Sequence, residues 1–204
     1  MDQNEKTTED KIFEAASRIF EEKGFTGSRM QEIADRAGIN KALLHYYFRT
    51  KEKLFDAVFS KLAGIMFKKL FSCLDNDLPL EQKLAMFYKE HIGFLQKHPG
   101  LPAFVFHEIN RNPERIARIF SNEQVVIMRK KFYKQLDEEI EAGVIRPVDK
   151  MQLVVNIVAL SVFPFAARGL VSMILGEGKM KFNDFVEDRK TLLPLFIFNA
   201  LRNP

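Results

Sequence analysis

The chain has 204 residues, a net charge of +4 at pH 7, 47% hydrophobic residues and 28% charged residues. This balance is too apolar for a disordered chain and too charged for a membrane bundle, and the length accommodates one or two domains. A single cysteine, Cys73, excludes an internal disulfide and a cysteine-based zinc site; with no basic stretch leading into an apolar core near Met1, it predicts a reducing, cytoplasmic location.

Helical periodicity runs nearly end to end, and strict two-residue alternation appears nowhere, which predicts an all-α fold of about nine helices. The first spans roughly 8–23, started by Thr7 with Asp10, striped by Ile12, Ala15, Ala16, Ile19 and Phe20, and stopped at Gly24. Two short helices follow, roughly 28–35 and 40–47, then a long one over about 51–74 carrying Leu54, Phe55, Val58, Phe59, Leu62 and Met66. Pro79 opens a helix that ends at His98-Pro99-Gly100, and a shorter element covers about 101–110. Asn112-Pro113 opens a stretch to Gly143, broken near Ser121-Asn122. Asp149 opens an apolar helix to about Leu175, interrupted at Pro164 and Gly169, and a last helix runs from about Asn183 to Leu201 with a kink at Pro194.

Charge is unevenly spread. Residues 1–40 carry six basic and nine acidic side chains, whereas 41–69 carry seven basic and two acidic. A compact basic segment beside an acidic one is the footprint of a phosphate-binding surface, and equally of ordinary fluctuation along helices.

Spacing decides more. Ala34 sits where a short helix lets another cross it closely, and Gly38, four residues on, supplies the left-handed backbone that a tight helix–helix turn demands. Met30, Ile33, Ala37, Ile39 and Leu44 fill the core between these helices and the first. That leaves Asn40, Lys41, Ala42, Leu43, His45 and Tyr46 on the outer face, with Asn40 as an N-cap. The pattern is that of a helix-turn-helix whose second helix enters a major groove; a plain helical hairpin is the alternative.

Extended outward, Gly24-Phe25-Thr26-Gly27-Ser28-Arg29-Met30, Ile33-Ala34, Ala37-Gly38-Ile39-Asn40 and Tyr47-Phe48-Arg49-Thr50-Lys51-Glu52-Lys53-Leu54 closely resemble the N-terminal domain of the TetR family of transcriptional regulators, over about residues 8–55. The resemblance implies a homodimeric, ligand-responsive regulator, most often a repressor, that binds a palindromic double-stranded DNA operator and a small-molecule effector of unknown identity, with no cofactor. It divides the chain into a DNA-binding domain at 1–50, a connector at 51–74 and a ligand-binding and dimerisation domain at 75–204. Lys41, Ala42, Leu43 and Tyr46 match positions at bases or their sugar edges, and His45, Tyr47 and Lys51 match phosphate-holding positions. Ser28 or Arg29 matches the phosphate site at the start of the second helix, and Phe48 an apolar packing position. Three residues depart from the family's habit: His45 replaces the usual Tyr, Ala42 a frequent Gly, and Arg29 a frequent small hydroxyl residue. Lys41 suits a guanine edge and Leu43 a thymine methyl.

The apolar run 153–167 is interrupted by Asn156, Ser161 and Pro164 and closed by Arg168. A membrane span needs about 20 apolar residues, so a core or interface helix is expected and no membrane. With Leu192, Leu193, Leu195, Phe196, Ile197 and Phe198 in the last helix, it predicts an intersubunit bundle, as the family also uses. Phe104, Phe106, Phe120, Phe132, Phe163 and Phe165, with Tyr88 and Tyr133, line an apolar cavity or simply fill a core. His107, Glu108 and Arg168 either orient a ligand there or serve as structural or surface groups.

Enzymatic signals are weak. His107-Glu108-Ile109-Asn110-Arg111 lacks the second His of a zinc helix, and His91, His98 and His107 have no metal-ligand spacing. Gly176-Glu177-Gly178-Lys179-Met180 has Met180 where a phosphate loop needs a hydroxyl. The expectation is a non-enzyme with no metal site; a helical small-molecule-binding protein with a degenerate helix-turn-helix is the second reading.

Overall fold

The computed structural model describes residues 7–75, 77–111, 113–114, 117, 121, 123–176 and 181–202, with side chains defined at these positions except 67–71, 74, 107, 108, 111 and 124. Among the described residues all regular structure is helical. The helices are α1 (Thr8–Gly27), α2 (Met30–Ala37), α3 (Lys41–Tyr47), α4 (Lys51–Leu74), α5 (Leu80–Lys97), α6 (Leu101–Arg111), α7 (Glu123–Glu141), α8 (Lys150–Ala166), α9 (Arg168–Leu175) and α10 (Phe182–Leu201). The apolar stretch expected as one interrupted helix is two, α8 and α9, which turn by 82° at their junction. The break falls at Ala167 (φ −113°, ψ 37°), between the two residues expected to cause it.

The chain separates into two compact units, Met1–Ile65 and Met66–Pro204, with the division inside α4. In the first unit, Thr7 caps α1 by accepting the Asp10 N–H at 3.2 Å, while its hydroxyl donates to the Asp10 carboxylate at 2.8 Å. That hydroxyl is the main reason the Asp10 carboxyl is held below its ordinary range. Gly24 leaves helical geometry at φ 66°, ψ −178°, so α1 is kinked there and runs on past the expected stop. Ile12, Ile19, Phe20, Ile33, Ala34, Leu44, Leu54 and Val58 form the core. Around them, Phe20 and Phe25 both meet Phe55 edge-on at 5.0 Å, and Phe13 meets Phe48 at 5.7 Å. Ala34 is fully buried, as a close α2–α3 crossing requires, whereas Met30 and Ile39 are only half-buried.

In the second unit α5 is central, with α10 lying along it and α8 bridging α5, α6, α9 and α10. Pro79 is the residue before α5 rather than part of its first turn, and the Leu80 N–H donates instead to Glu139 of α7 at 3.1 Å. Asp149 caps α8 through the Gln152 N–H at 2.9 Å. Pro164 and Pro194 are both buried inside helices, α8 and α10. No single helix among the described residues is long and apolar enough to cross a membrane, although α8 and α9 together pass by length and composition as a bent pair.

Candidate nucleic-acid interface

The α2–α3 turn is built by its backbone. Gly38 lies in the left-handed region (φ 68°, ψ 32°), and its N–H donates to the Ala34 and Asp35 carbonyls that end α2. The Ile39 N–H then returns to Ala34 at 3.0 Å. Asn40 caps α3 by accepting the Leu43 N–H at 2.8 Å. Leu44 is the buried anchor of this seven-residue helix.

Burying Leu44 turns the rest of α3 outward. Asn40, Lys41, Ala42, His45, Tyr46 and Tyr47 are exposed, Tyr46 at 81%, and Leu43 stands at the edge of exposure. The Tyr46 and Tyr47 rings meet edge-on at 5.7 Å. These side chains leave α3 exposed apart from Leu44, as a helix that enters a major groove must be. His45 is further constrained, its Nδ1 lying 3.2 Å from the Arg49 carbonyl.

A second feature joins α4 to the α1–α2 corner. The Phe25 carbonyl, left open beyond the Gly24 break, accepts the Ser28 N–H at 3.4 Å, the Ser28 hydroxyl at 2.8 Å and the Lys51 ammonium at 2.9 Å. Lys51 also donates to the Ser28 carbonyl at 3.1 Å and sits 4.4 Å over the Phe25 ring. A cation at a helix C-terminus is where the peptide dipoles favour one. Thr50 caps α4 by accepting the Lys53 N–H at 3.2 Å, and Glu52 beside it is held ionised, first by its own backbone N–H and then by Thr50.

This arrangement gives two of the residues expected at phosphates, Ser28 and Lys51, partners within the chain. Ser28 is 2% exposed with its hydroxyl donating to the Phe25 carbonyl, whereas Arg29 beside it is exposed. Arg29 precedes α2 and contributes no side-chain cap to its first turn. Lys51 donates to two carbonyls of this corner. The physical reason is the same for both: an unsatisfied carbonyl at a chain reversal recruits the nearest donors.

The residues expected to line a ligand cavity differ in their exposure. Phe104 and Phe132 are buried, but Phe163 is 53% exposed and Arg168 lies outside, its guanidinium 4.6 Å over the Phe182 ring. Phe163 continues the outward α8 stripe of Met151, Val155 and Ala159 at four-residue steps, and Arg168 follows the 82° turn. The side chains of His107 and Glu108, and all of Phe120, lie outside the described residues. A groove of about 630 Å³ opens elsewhere in this unit, lined by Leu80, Lys83, Lys131, Gln135, Glu139 and Phe198 among others, and contains none of the expected residues.

The second unit also holds a buried polar cluster that sequence reasoning misses. His91 on α5 and Ser161 on α8 are 4% and 1% exposed, with Nδ1 2.9 Å from Oγ. Ser161 donates to the Val158 carbonyl at 2.8 Å, so the imidazole N–H must be the donor of the pair. Burial pushes the His91 imidazole down to about 4. Tyr88 donates to the Ile157 carbonyl at 3.1 Å, and burial pushes its phenol up. The His91 and Ser161 positions lie 70 residues apart, and only Ser161, as an interruption in an apolar run, gives a local signal. No group of three or more potential metal-ligating side chains is found among the described residues.

Residues 12–58 match the family of bacterial regulatory proteins, tetR family. The chain is 30% identical over 132 residues to the Probable HTH-type transcriptional regulator YttP of Bacillus subtilis (strain 168), covering 64% of this chain and 62% of that protein. It is 45% identical over 51 residues to the HTH-type transcriptional repressor NicS of Pseudomonas putida, covering 25% and 24%. The chain thus spans less than two thirds of the length of either relative. In fold it is similar to the TetR-family transcriptional regulator PfmR from Thermus thermophilus, with a TM-score of 0.66, 19% identity, and coverage of 94% of this chain and 99% of that one.

Proposed function

We propose that this chain, whose residues 12–58 match the family of bacterial regulatory proteins, tetR family, is a sequence-specific, ligand-responsive transcriptional regulator, a repressor that binds its operator as a homodimer and catalyses no reaction. The observation that carries this is the α3 face. Lys41, Ala42, Leu43 and Tyr46 are all turned outward beside a capped N-terminus, behind a turn that only Gly38's left-handed backbone closes tightly. In this reading Lys41, Ala42, Leu43 and Tyr46 meet base edges. Arg29, His45 and Tyr47 hold phosphates, and Asn40 orients the helix that delivers them.

Two copies of α3 reach successive major grooves about 34–36 Å apart when the subunits pair. The pairing surface is supplied by Met151, Val155 and Phe163 on α8 and by Leu192, Leu195 and Phe196 on α10, each between 52% and 63% exposed in one chain. Two such stripes, at four-residue and three-to-four-residue steps, are what an intersubunit helical bundle buries. The effector binds in the second unit, and α4, which contributes residues to both units, is the route by which its binding alters the reading heads. Its effect on DNA affinity is bounded by its differential affinity for the two states.

The test is binding of purified protein to the DNA just upstream of its own gene against a scrambled duplex, at low and physiological salt. Selective binding that survives physiological salt is expected. Equal binding to both duplexes that vanishes with salt would leave only the phosphate contribution and overturn sequence-specific recognition of that DNA.

A further inference from the structure

We infer that the short helix α9 is itself a pairing element, whose Leu170, Met173 and Ile174 pack against a second copy of this chain. This deepens the homodimer reading above, in which α8 and α10 alone supply the pairing surface, and rests on it.

Within one chain α9 has little to hold it. It has eight residues, and an isolated helix shorter than about 12–15 residues is marginal in water. Ala167 before it offers no side-chain cap, and Val171 is its one buried side chain. Its C-terminus is secured only by the Gly176 N–H, which donates to the Ser172 and Met173 carbonyls. Leu170, Met173 and Ile174, at three- and four-residue steps, share a face and are 52%, 79% and 73% exposed. Helices in proteins are held mainly by packing an apolar face, and here the larger apolar face is open.

The corner from which α9 springs joins it to the helices that carry the other open apolar residues. Phe165, near the end of α8, meets Phe182, at the start of α10, edge-on at 5.8 Å, and Arg168 of α9 lies over the same ring. α9 packs on both neighbours. An open apolar side chain carries on the order of 100 Å², so the six named above on α8 and α10 offer roughly 600 Å². That is about the upper end of the largest apolar patch on an ordinary monomer, roughly 300–600 Å². With α9 the figure rises to roughly 900 Å², beyond that range and close to the ~800 Å² per partner that a stable complex buries.

Charge selects the occupant. Between Met151 and Leu175 the one ionisable side chain is Arg168, and between Thr191 and Leu201 there is none. A twofold interface sets a patch against itself, so any net charge on it would face its own copy and repel. These segments meet that condition, and they offer an acidic or basic partner no charge by which to be selected. A lipid surface is the other apolar occupant. A helix lying on a membrane typically lines its polar face with several basic residues, and α9 has Arg168 alone. A span needs about 20 apolar residues in line, and α8 and α9 turn by 82° at their junction.

The experiment measures the dimer dissociation constant of the full chain by sedimentation, for the wild type, Met173→Glu and Met173→Leu. At so exposed a position the glutamate should leave helical content unchanged and raise the dissociation constant by about thirtyfold or more. Met173→Leu keeps the face apolar and should pair as the wild type does. A second measurement needs no variant: the backbone amides of α9 should exchange more slowly in wild-type protein above the dissociation constant than below it. A Met173→Glu chain that pairs as tightly as the wild type, or α9 amides that exchange alike at both concentrations, overturns the inference and leaves pairing through α8 and α10 standing. Wild-type protein that floats with phosphatidylcholine vesicles, and no longer does so as Met173→Glu, assigns α9 to lipid and also overturns it. A wild type that is monomeric at every concentration overturns both the inference and the homodimer reading.

Discussion

The Arg189 Nη2 lies 2.8 Å from the Leu160 carbonyl oxygen, the acceptor that Pro164 leaves unserved inside α8. A helical carbonyl is normally met by the N–H four residues on, and Pro164 has none. A half-buried guanidinium on α10 thus repairs a defect in α8, supported by the Phe185 ring 5.2 Å from its centre. Its Nε has no partner among the described residues, so the repair itself costs some desolvation.

This predicts coupling between Arg189 and Pro164, which stand on different helices. Arg189→Met should destabilise the protein by about 1–3 kcal/mol, because Leu160 is left without a donor. In a Pro164→Ala background, where the new residue restores a backbone N–H at that position, the same substitution should cost clearly less. A double-mutant cycle by chemical denaturation measures the difference. Simple additivity would mean that Arg189 does not serve that carbonyl.

Acid sensitivity should trace largely to His91. Its imidazole stays neutral in the fold down to about 4, against an ordinary value of 6.5. Between those values the unfolded chain binds more protons, so stability is lost as the pH falls from about 6.5 towards 4, by up to about 3 kcal/mol. In His91→Gln this part of the pH dependence should disappear, read as midpoint against pH in urea.

Lys51 and Lys41 should separate cleanly. Lys51→Ala removes two carbonyl contacts and the Phe25 stacking, so it should lower stability by roughly 1 kcal/mol and weaken binding to every duplex. Lys41 is exposed on the reading face, so Lys41→Ala should leave the thermal midpoint unchanged and alter which operator sequence is preferred. Thermal unfolding alongside binding to a panel of single-base operator variants distinguishes them.

Gly38→Ala isolates a backbone effect. An added Cβ meets nothing within 4 Å, but φ is 68°, so the cost is conformational, about 1 kcal/mol. Operator binding should fall further than stability, since the turn sets the direction of α3. A variant with unchanged DNA affinity would show that the turn tolerates another backbone geometry.

Phe196→Glu tests the pairing surface. At 63% exposure in one chain, the change should not unfold it. It should instead yield a folded monomer by sedimentation, with operator affinity greatly reduced because one reading head replaces two. A variant that remains dimeric would move the interface off α10.

Much of the first unit was legible because its signals are local. A glycine four residues after a small alanine, an asparagine before the next helix and one buried leucine determine where α2 ends, where α3 begins and which way its side chains face, and each acts within a few residues. All-helical structure and most helix limits followed from periodicity for the same reason. Tertiary structure alone decided what each polar group does. That Ser28 and Lys51 converge on Phe25, that His91 meets Ser161, that Arg189 serves Leu160, and that Phe163 faces outward all depend on partners brought together from distant segments or on a turn between helices. Hydrogen bonds of this kind are specified by where buried donors and acceptors meet in space, and sequence spacing carries no record of that.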